Sequence, residues 1–347
     1  EKKSGARVDR DYLDWALKDF SGYIAADELY DGPFCVLSIV DNRTFRRLVF
    51  EVLEGSPTHA DIERFFRHFW GLITRRGLSV KGATTDGSGL YPGPLAKVFG
   101  PIPHQICEFH VIQEITNAVL HAVAAARKEI KAQRPRLPVG RPVSKEAKRL
   151  ARHIARLDQK RRDLYEHRHL FVRRELTPAQ RVTLLRITKG LPSLRHLREI
   201  MEEVYRLFDR RCRMETALEK LARLRRRVCR FAQLVRALQP LFSPTLEKAL
   251  TFLDDDLLPS TSNAVERGNR RHRKMQRSTY RVRTRDNLVG RMAMDLLREQ
   301  RLASRVGSLA ALHQQRGAAP ARHPPRAHAL MPRAPIPIRE QRRRRAG

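Results

Sequence analysis

Acidic residues are scarce in this 347-residue chain: 37 Asp+Glu stand against 70 Lys+Arg, a formal charge of +33. Solubility needs far less, so the imbalance implies a polyanionic partner, nucleic acid first. Cysteine is also sparse. The four (Cys35, Cys107, Cys212, Cys229) form no close pairs, which excludes a disulfide framework and suits a reducing compartment. No uncharged apolar run approaches the roughly 18 residues that a membrane span requires. Internal repeats and glycine-rich phosphate loops are missing too. What is present is enough apolar material, 41% of residues, for folded domains, and enough length for two of them or for one carrying a large insertion.

Residues 21–53 read as three short strands separated by the turn signals Asp31-Gly32-Pro33 and Asn42-Arg43, an antiparallel meander. A helix follows, capped at Thr58 and ended near Gly77, with Ile62, Phe65, Phe66, Phe69, Trp70 and Ile73 on one face. "VKGATTDG" reads as a fourth strand and "HQICEFH" as a fifth, with a helix behind it: a mixed α/β order. Beyond Arg127 a Pro/Arg-rich break precedes long stretches of helical period, with helix starts at Thr177-Pro178 and Pro192-Ser193. The expected organisation is a linker or helix over 1–20, a core over 21–127, an all-helical block over 128–258, the core's return over 259–305, and a basic Pro/Arg-rich tail over 306–347 expected to be disordered.

Just beyond the all-helical block lies "STSNAVERGNRRHRKMQR", in which a single acid, Glu266, precedes six Arg and Lys within eleven positions. Asn263-x-x-Glu266 has the spacing of a capping box, and capping alone is the commoner fate of such a glutamate. On a helix, however, Glu266 shares a stripe with Asn263, Asn269 or Arg270, Arg273 and Arg277, side chains suited to phosphate oxygens. Asp27 and Asp86 each end a predicted strand, where a carboxylate projects into a cleft. Two such acids and a helical glutamate suit Mg2+, a hard ion that takes few carboxylates. Taken singly, either aspartate is as well explained by a turn or a cap. Cys107-x-x-His110 is half of a tetrahedral zinc site, but no second pair stands at zinc-finger spacing.

Strand-Asp27, two strands, helix, strand-Asp86, Cys107-x-x-His110, a long helical segment and a helix bearing Glu266 together resemble the DDE transposases of bacterial insertion sequences related to the Mutator group. The resemblance spans roughly residues 20–300 and is most specific in "TTDG", "CEFH" and the S/T-x-N-x-x-E-x-x-N-R pattern. It implies an RNase H-like mixed sheet with flanking helices, interrupted by an all-α insertion before the glutamate helix. It also implies a catalytic, metal-binding trio of Asp27, Asp86 and Glu266, with Cys107 and His110 a signature beside it. His110 would then contact the scissile phosphate or orient water. Two Mg2+ ions, replaceable by Mn2+, and DNA (element ends and target) follow as cofactor and partner, with a homo-oligomer on DNA. Asn263, Arg267, Asn269, Arg270, Arg271, Arg273, Lys274 and Arg277 are the expected DNA contacts. A bacterial cytoplasmic, nucleoid-associated location, without membrane, is expected. The alternatives are a catalytically inactive basic DNA-binding protein and an RNase H-like nuclease.

Overall fold

A computed structural model describes residues 10–136, 140–278 and 284–301, apart from the side chains of Arg10, Met275, Arg277, Ser278 and Arg301. The tail from 306 onward and the side chain of Arg277 therefore lie outside the described residues. In chain order the elements are α1 (Arg10–Leu17), β1 (Tyr23–Asp31), β2 (Phe34–Asp41), β3 (Arg47–Glu54), α2 (His59–Thr74), β4 (Gly82–Thr85), α3 (Pro92–Phe99), β5 (His104–Ile106) and α4 (Glu108–Ala132). Six helices follow, α5 (Lys145–Glu166), α6 (Pro178–Ile187), α7 (Pro192–Leu207), α8 (Met214–Cys229), α9 (Ala232–Ala237) and α10 (Pro244–Lys248). The chain then returns to the sheet with α11 (Asn263–Ser278) and α12 (Arg285–Arg301).

The sheet order is β3-β2-β1-β4-β5. β1, β2 and β3 are the expected meander. The Gly32-Pro33 turn joins Asp31 to its partner Phe34, and Gly32 adopts the left-handed φ of 63° that glycine alone takes without a steric cost. β4 runs parallel to β1 from Tyr23↔Gly82 to Ala25↔Thr84, and β5 runs parallel to β4. β1 continues past the last of these pairs, so a notch opens where β4 ends.

Alternation along β1 builds a layer on each face. Ile24 and Ala26 join Leu37 and Ile39 against α1, α2 and α3. α2 is fixed at its start by reciprocal bonds between Thr58 and Asp61, and it buries Ile62, Phe65, Phe66, Phe69 and Ile73. On the opposite face Ala25 and Val40 meet Ala264 and Val265 of α11, while Leu29 and Val36 meet Leu288 and Met292 of α12. The result is a mixed sheet flanked by helices on both sides, an RNase H-like arrangement.

Between β5 and α11 every described element is helical. This insertion has its own apolar core, drawn from α4, α7 and α8 (Val119, Leu197, Met201, Leu221, Leu224), and it is continuous with Tyr23 and Ile106 of the sheet. Its helix starts follow local chemistry: Thr177 caps α6 ahead of Pro178, and Pro192 opens α7.

One expected strand is shorter than its sequence suggests. "HQICEFH" is extended only to Ile106. The Cys107 amide donates to Thr85 O at 2.7 Å and closes the sheet, the Glu108 amide donates to Ser260 O at 2.8 Å, and the chain turns directly into α4. His110 is consequently a residue of a helix's first turn. No described helix is long and apolar enough to cross a membrane.

Candidate active site

The notch beside β1 collects carboxylates from two strands. Asp27 lies just beyond the last β1–β4 pair, on the face that meets α11. Asp86 follows the last residue of β4, in a tight turn where its Oδ1 accepts the Ser88 amide at 2.8 Å. Gly87 makes that turn at φ 102°. From the strand end Asp86 reaches both faces of β1. Oxygens of Asp27, Glu28 and Asp86 accordingly all lie within 4.8 Å of one another, although Asp27 and Glu28 leave opposite sides of their strand.

Burial and the charges of Asp86 and Glu28 push the Asp27 carboxyl up to about 7. Glu28 is raised as well, by burial first and by Asp86, against a lowering hydrogen bond from the Tyr91 hydroxyl. Three carboxylates this close, one already reluctant to ionise, form a donor set that a divalent cation discharges. The residues fit a hard metal ion.

α11 crosses this cluster. Its first carbonyl acceptor is Ser262 O, which takes the Glu266 amide at 3.1 Å, so Ser262 occupies the cap position and Asn263 is already helical. The Asn263–Glu266 capping box is therefore not formed, because the helix begins one residue earlier than that spacing assumes. Glu266 is partly buried, outside the group of three carboxylates, and its charge reaches His110. One turn further on, Asn269 is 3% exposed and donates Nδ2 to Asp27 Oδ2 at 2.7 Å. Expected among the DNA contacts, it points instead into the acidic cluster.

The other expected contacts on α11 divide by face. Asn263, Arg267, Arg270, Arg271, Arg273 and Lys274 are exposed. Arg267 lies over the Phe45 ring at 4.8 Å, and Arg271 is 3.9 Å from both Asp295 and Glu299 of α12.

Cys107 and His110 flank the notch from the β5–α4 junction. Cys107 is buried, and its Sγ accepts the Ser262 amide at 3.4 Å, which ties the start of α4 to the start of α11. Burial pushes the thiol up, but hydrogen bonding from His110 and Ser262 outweighs it and leaves the pKa lowered. His110 is raised to about 9 by the Cys107 sulfur, against desolvation, with Asp86 and Glu266 adding to the rise. The shift favours the protonated ring, and Asp86 and Glu266 are the acids that contribute to it. No zinc-like cluster accompanies the pair: among the described residues Asp27, Glu28 and Asp86 are the one group of three metal-ligating side chains.

Two neighbouring acids that compete with Asp27 in the sequence are engaged elsewhere. Asp41 is fully buried, accepting Ser21, Arg43 and Thr44 amides. Asp31 bonds His272 at 3.1 Å. From the sequence Glu28 competes with Asp27 for the place of the first acid, and Asp27 is preferred; the structure instead brings both to Asp86. Strand alternation points Glu28 away from Asp27, and only the position of Asp86 brings the two together.

A family model described as "Transposase", DDE type, ISL3 group, matches residues 33–292, three quarters of the chain. The match includes Asp86, Cys107, His110 and Glu266, and it begins after Asp27 and Glu28, whose assignment rests on the geometry above. No curated protein and no solved structure matches significantly.

Proposed function

Because the chain belongs to the ISL3 family of DDE transposases, we propose that it cuts DNA at the ends of an insertion sequence and joins those ends to target DNA. The observation that carries this reading is the convergence of Asp27, midway along β1, and Asp86, just past the end of the parallel strand β4, with α11 bonded to Asp27 through Asn269. Asp27, Asp86 and Glu28 are the residues that would hold Mg2+ or Mn2+, with Glu266 completing a two-ion site. Divalent ions so held supply Lewis-acid stabilisation of the attacking and leaving oxygens of an in-line displacement.

The protein's own groups position and neutralise. Asn269 fixes the Asp27 carboxylate. His110, protonated at neutral pH, brings a charge suited to a non-bridging phosphate oxygen. Arg267, Arg270, Arg273 and Lys274 on the outer side of α11 hold the phosphate backbone, contributing affinity that falls with salt and little base selectivity. Water attacks the phosphodiester first and frees a 3′-hydroxyl. That hydroxyl then attacks the target strand, with no covalent enzyme intermediate. Joining two ends calls for at least two copies of the chain on DNA.

The test is labelled element-end DNA with Mn2+, comparing the parent with Asp86→Asn and Glu266→Gln. Both variants are expected to retain duplex in a gel shift and to lose nicking and strand-transfer products. Variants that nick as fast as the parent overturn the assignment.

A further inference from the structure

We propose that a concavity in the helical insertion, with one edge at the start of α4, binds a single strand of DNA. The inference rests on the transposase reading above and adds to it the form of nucleic acid and the surface that receives it. The concavity is about 690 Å3 and is lined by five arginines and three acids, together with Tyr205. Two of those acids are engaged within the protein. Glu202 bonds Arg198 at 2.9 Å and lies 3.8 Å from Arg181, and Asp209 bonds Arg211 at 3.2 Å and also accepts that residue's amide. Arg174, Arg206, Arg210 and Arg211 are all exposed at the walls. Concentrating guanidinium groups in a hollow focuses positive potential there, where a flat basic surface would spread it.

Its position links it to elements that border the catalytic notch. Arg174 Nη1 is 4.0 Å from Glu108 Oε1, on the residue next to Cys107. Arg210 Nη2 donates to Leu258 O at 3.0 Å, just before the segment whose Pro259 O accepts the Thr84 hydroxyl and whose Ser260 O accepts the Glu108 amide. One edge of the concavity therefore rests on a backbone segment that is hydrogen-bonded to β4 and to the start of α4, the elements that precede Asp86 and carry His110.

Size selects the form of DNA. A hollow of this volume falls in the range of small-ligand sites, about 300–1,000 Å3, and admits a nucleotide or two, whereas a duplex is far too wide to enter it. Tyr205, half-buried against the insertion core with the Arg174 guanidinium 5.6 Å above its ring and its hydroxyl donating to Val172 O, holds that arginine at the wall, where the planar guanidinium can take a phosphate or stack on an unpaired base.

The experiment measures binding of a fluorescent single-stranded oligonucleotide and of an internal duplex without free ends, in EDTA, so that cleavage plays no part. The parent is compared with the double variant Arg206→Gln/Arg211→Gln. Both side chains are exposed, and a matching melting temperature verifies the fold. Loss of two phosphate contacts is expected to weaken single-strand binding about 25-fold at 0.1 M salt and to lower the slope of log K against log salt by about 1.4, from about 0.7 counterions per contact. Duplex affinity is expected to change less than threefold. Equal losses on both DNAs, or no loss on either, overturn the proposal. Asp86→Asn is the control that separates the two readings: it is expected to bind the single strand like the parent. A parent that binds the strand selectively yet never nicks refutes the catalytic reading and leaves this one standing.

Discussion

The Asn269 carboxamide donates inward to Asp27 at 2.7 Å, on a helix whose neighbouring basic side chains face out. Removing a hydrogen-bond partner that orients a metal ligand costs about 10–100-fold in affinity. Asn269→Ala is therefore expected to raise the Mn2+ concentration for half-maximal nicking by at least tenfold while duplex retention stays unchanged. An unaltered Mn2+ dependence makes Asn269 a packing residue only. A second prediction concerns His104, whose Nε2 lies 2.9 Å from Thr85 Oγ1 and whose pKa is pushed down to about 4 by burial, with Lys248 adding to the shift. The folded-state value is depressed below the ordinary 6.5, so stability is full above about pH 6.5. It falls toward pH 4, because only the unfolded chain takes up the proton. The full loss, reached below pH 4, is about 3 kcal/mol. Melting temperatures at pH 7 and pH 5 are expected to differ more for the parent than for His104→Gln, and equal differences remove His104 as the cause. Asp27 and Asp86 were legible in the sequence because each follows an apolar or small-residue run, although β1 does not end at Asp27 as expected but continues to Asp31 through its pairing with β2. The roles of Glu28 and Asn269 were not, since each depends on what a neighbouring element brings against it.

Elements whose ends are set by local chemistry were readable: Thr58 and Asp61 announce α2, Thr177-Pro178 announces α6, and alternation with Gly32-Pro33 gives the β1–β2 hairpin. Elements whose ends are set by distant partners were not. β5 stops at Ile106 because the chain binds Thr85 O and Ser260 O, contacts across sequence separations that no local pattern encodes. The start of α11, one residue earlier than the Asn263 spacing suggests, has the same kind of origin in the bond between Ser262 and Cys107. The seating of α11 also depends on Gly268. A Cβ there would come within 2.6 Å of Arg47 Nη2. Arg47 is 4% exposed, with Nη1 on Met292 Sδ at 3.8 Å, and has little room to withdraw. Alanine gains about 1 kcal/mol of helix propensity over glycine, but overpacking at such a site costs about 1–3 kcal/mol. Gly268→Ala is therefore expected to lower the melting temperature and to reduce nicking, by shifting α11 off Asp27. A higher melting temperature with full activity shows that Arg47 yields freely.

For the molecule as a whole, function and stability oppose each other at the notch. A chain with a net charge of +33 places three of its few acids within 4.8 Å of one another, burying them enough to push one up to about 7. Without a cation that arrangement is repulsive, and removing one charge relieves it. Asp86→Asn is thus expected to stabilise the metal-free protein by about 1 kcal/mol, a rise of about 1–3 °C in melting temperature for a chain of this size. Mn2+ reverses the order. A ligand that binds only the folded parent adds about 2.7 kcal/mol at a hundred times its dissociation constant, whereas Asp86→Asn, lacking one of the close oxygens, should gain less than about 1 kcal/mol. Thermal melts of both proteins, with EDTA and with Mn2+, read the two effects separately. A variant less stable than the parent in EDTA, yet stabilised equally by Mn2+, means that Asp86 serves the turn with Ser88 and that the cation is held elsewhere. The crossing of the two melting curves is the signature of a site kept strained for a metal, and it is measurable before any DNA substrate has been identified.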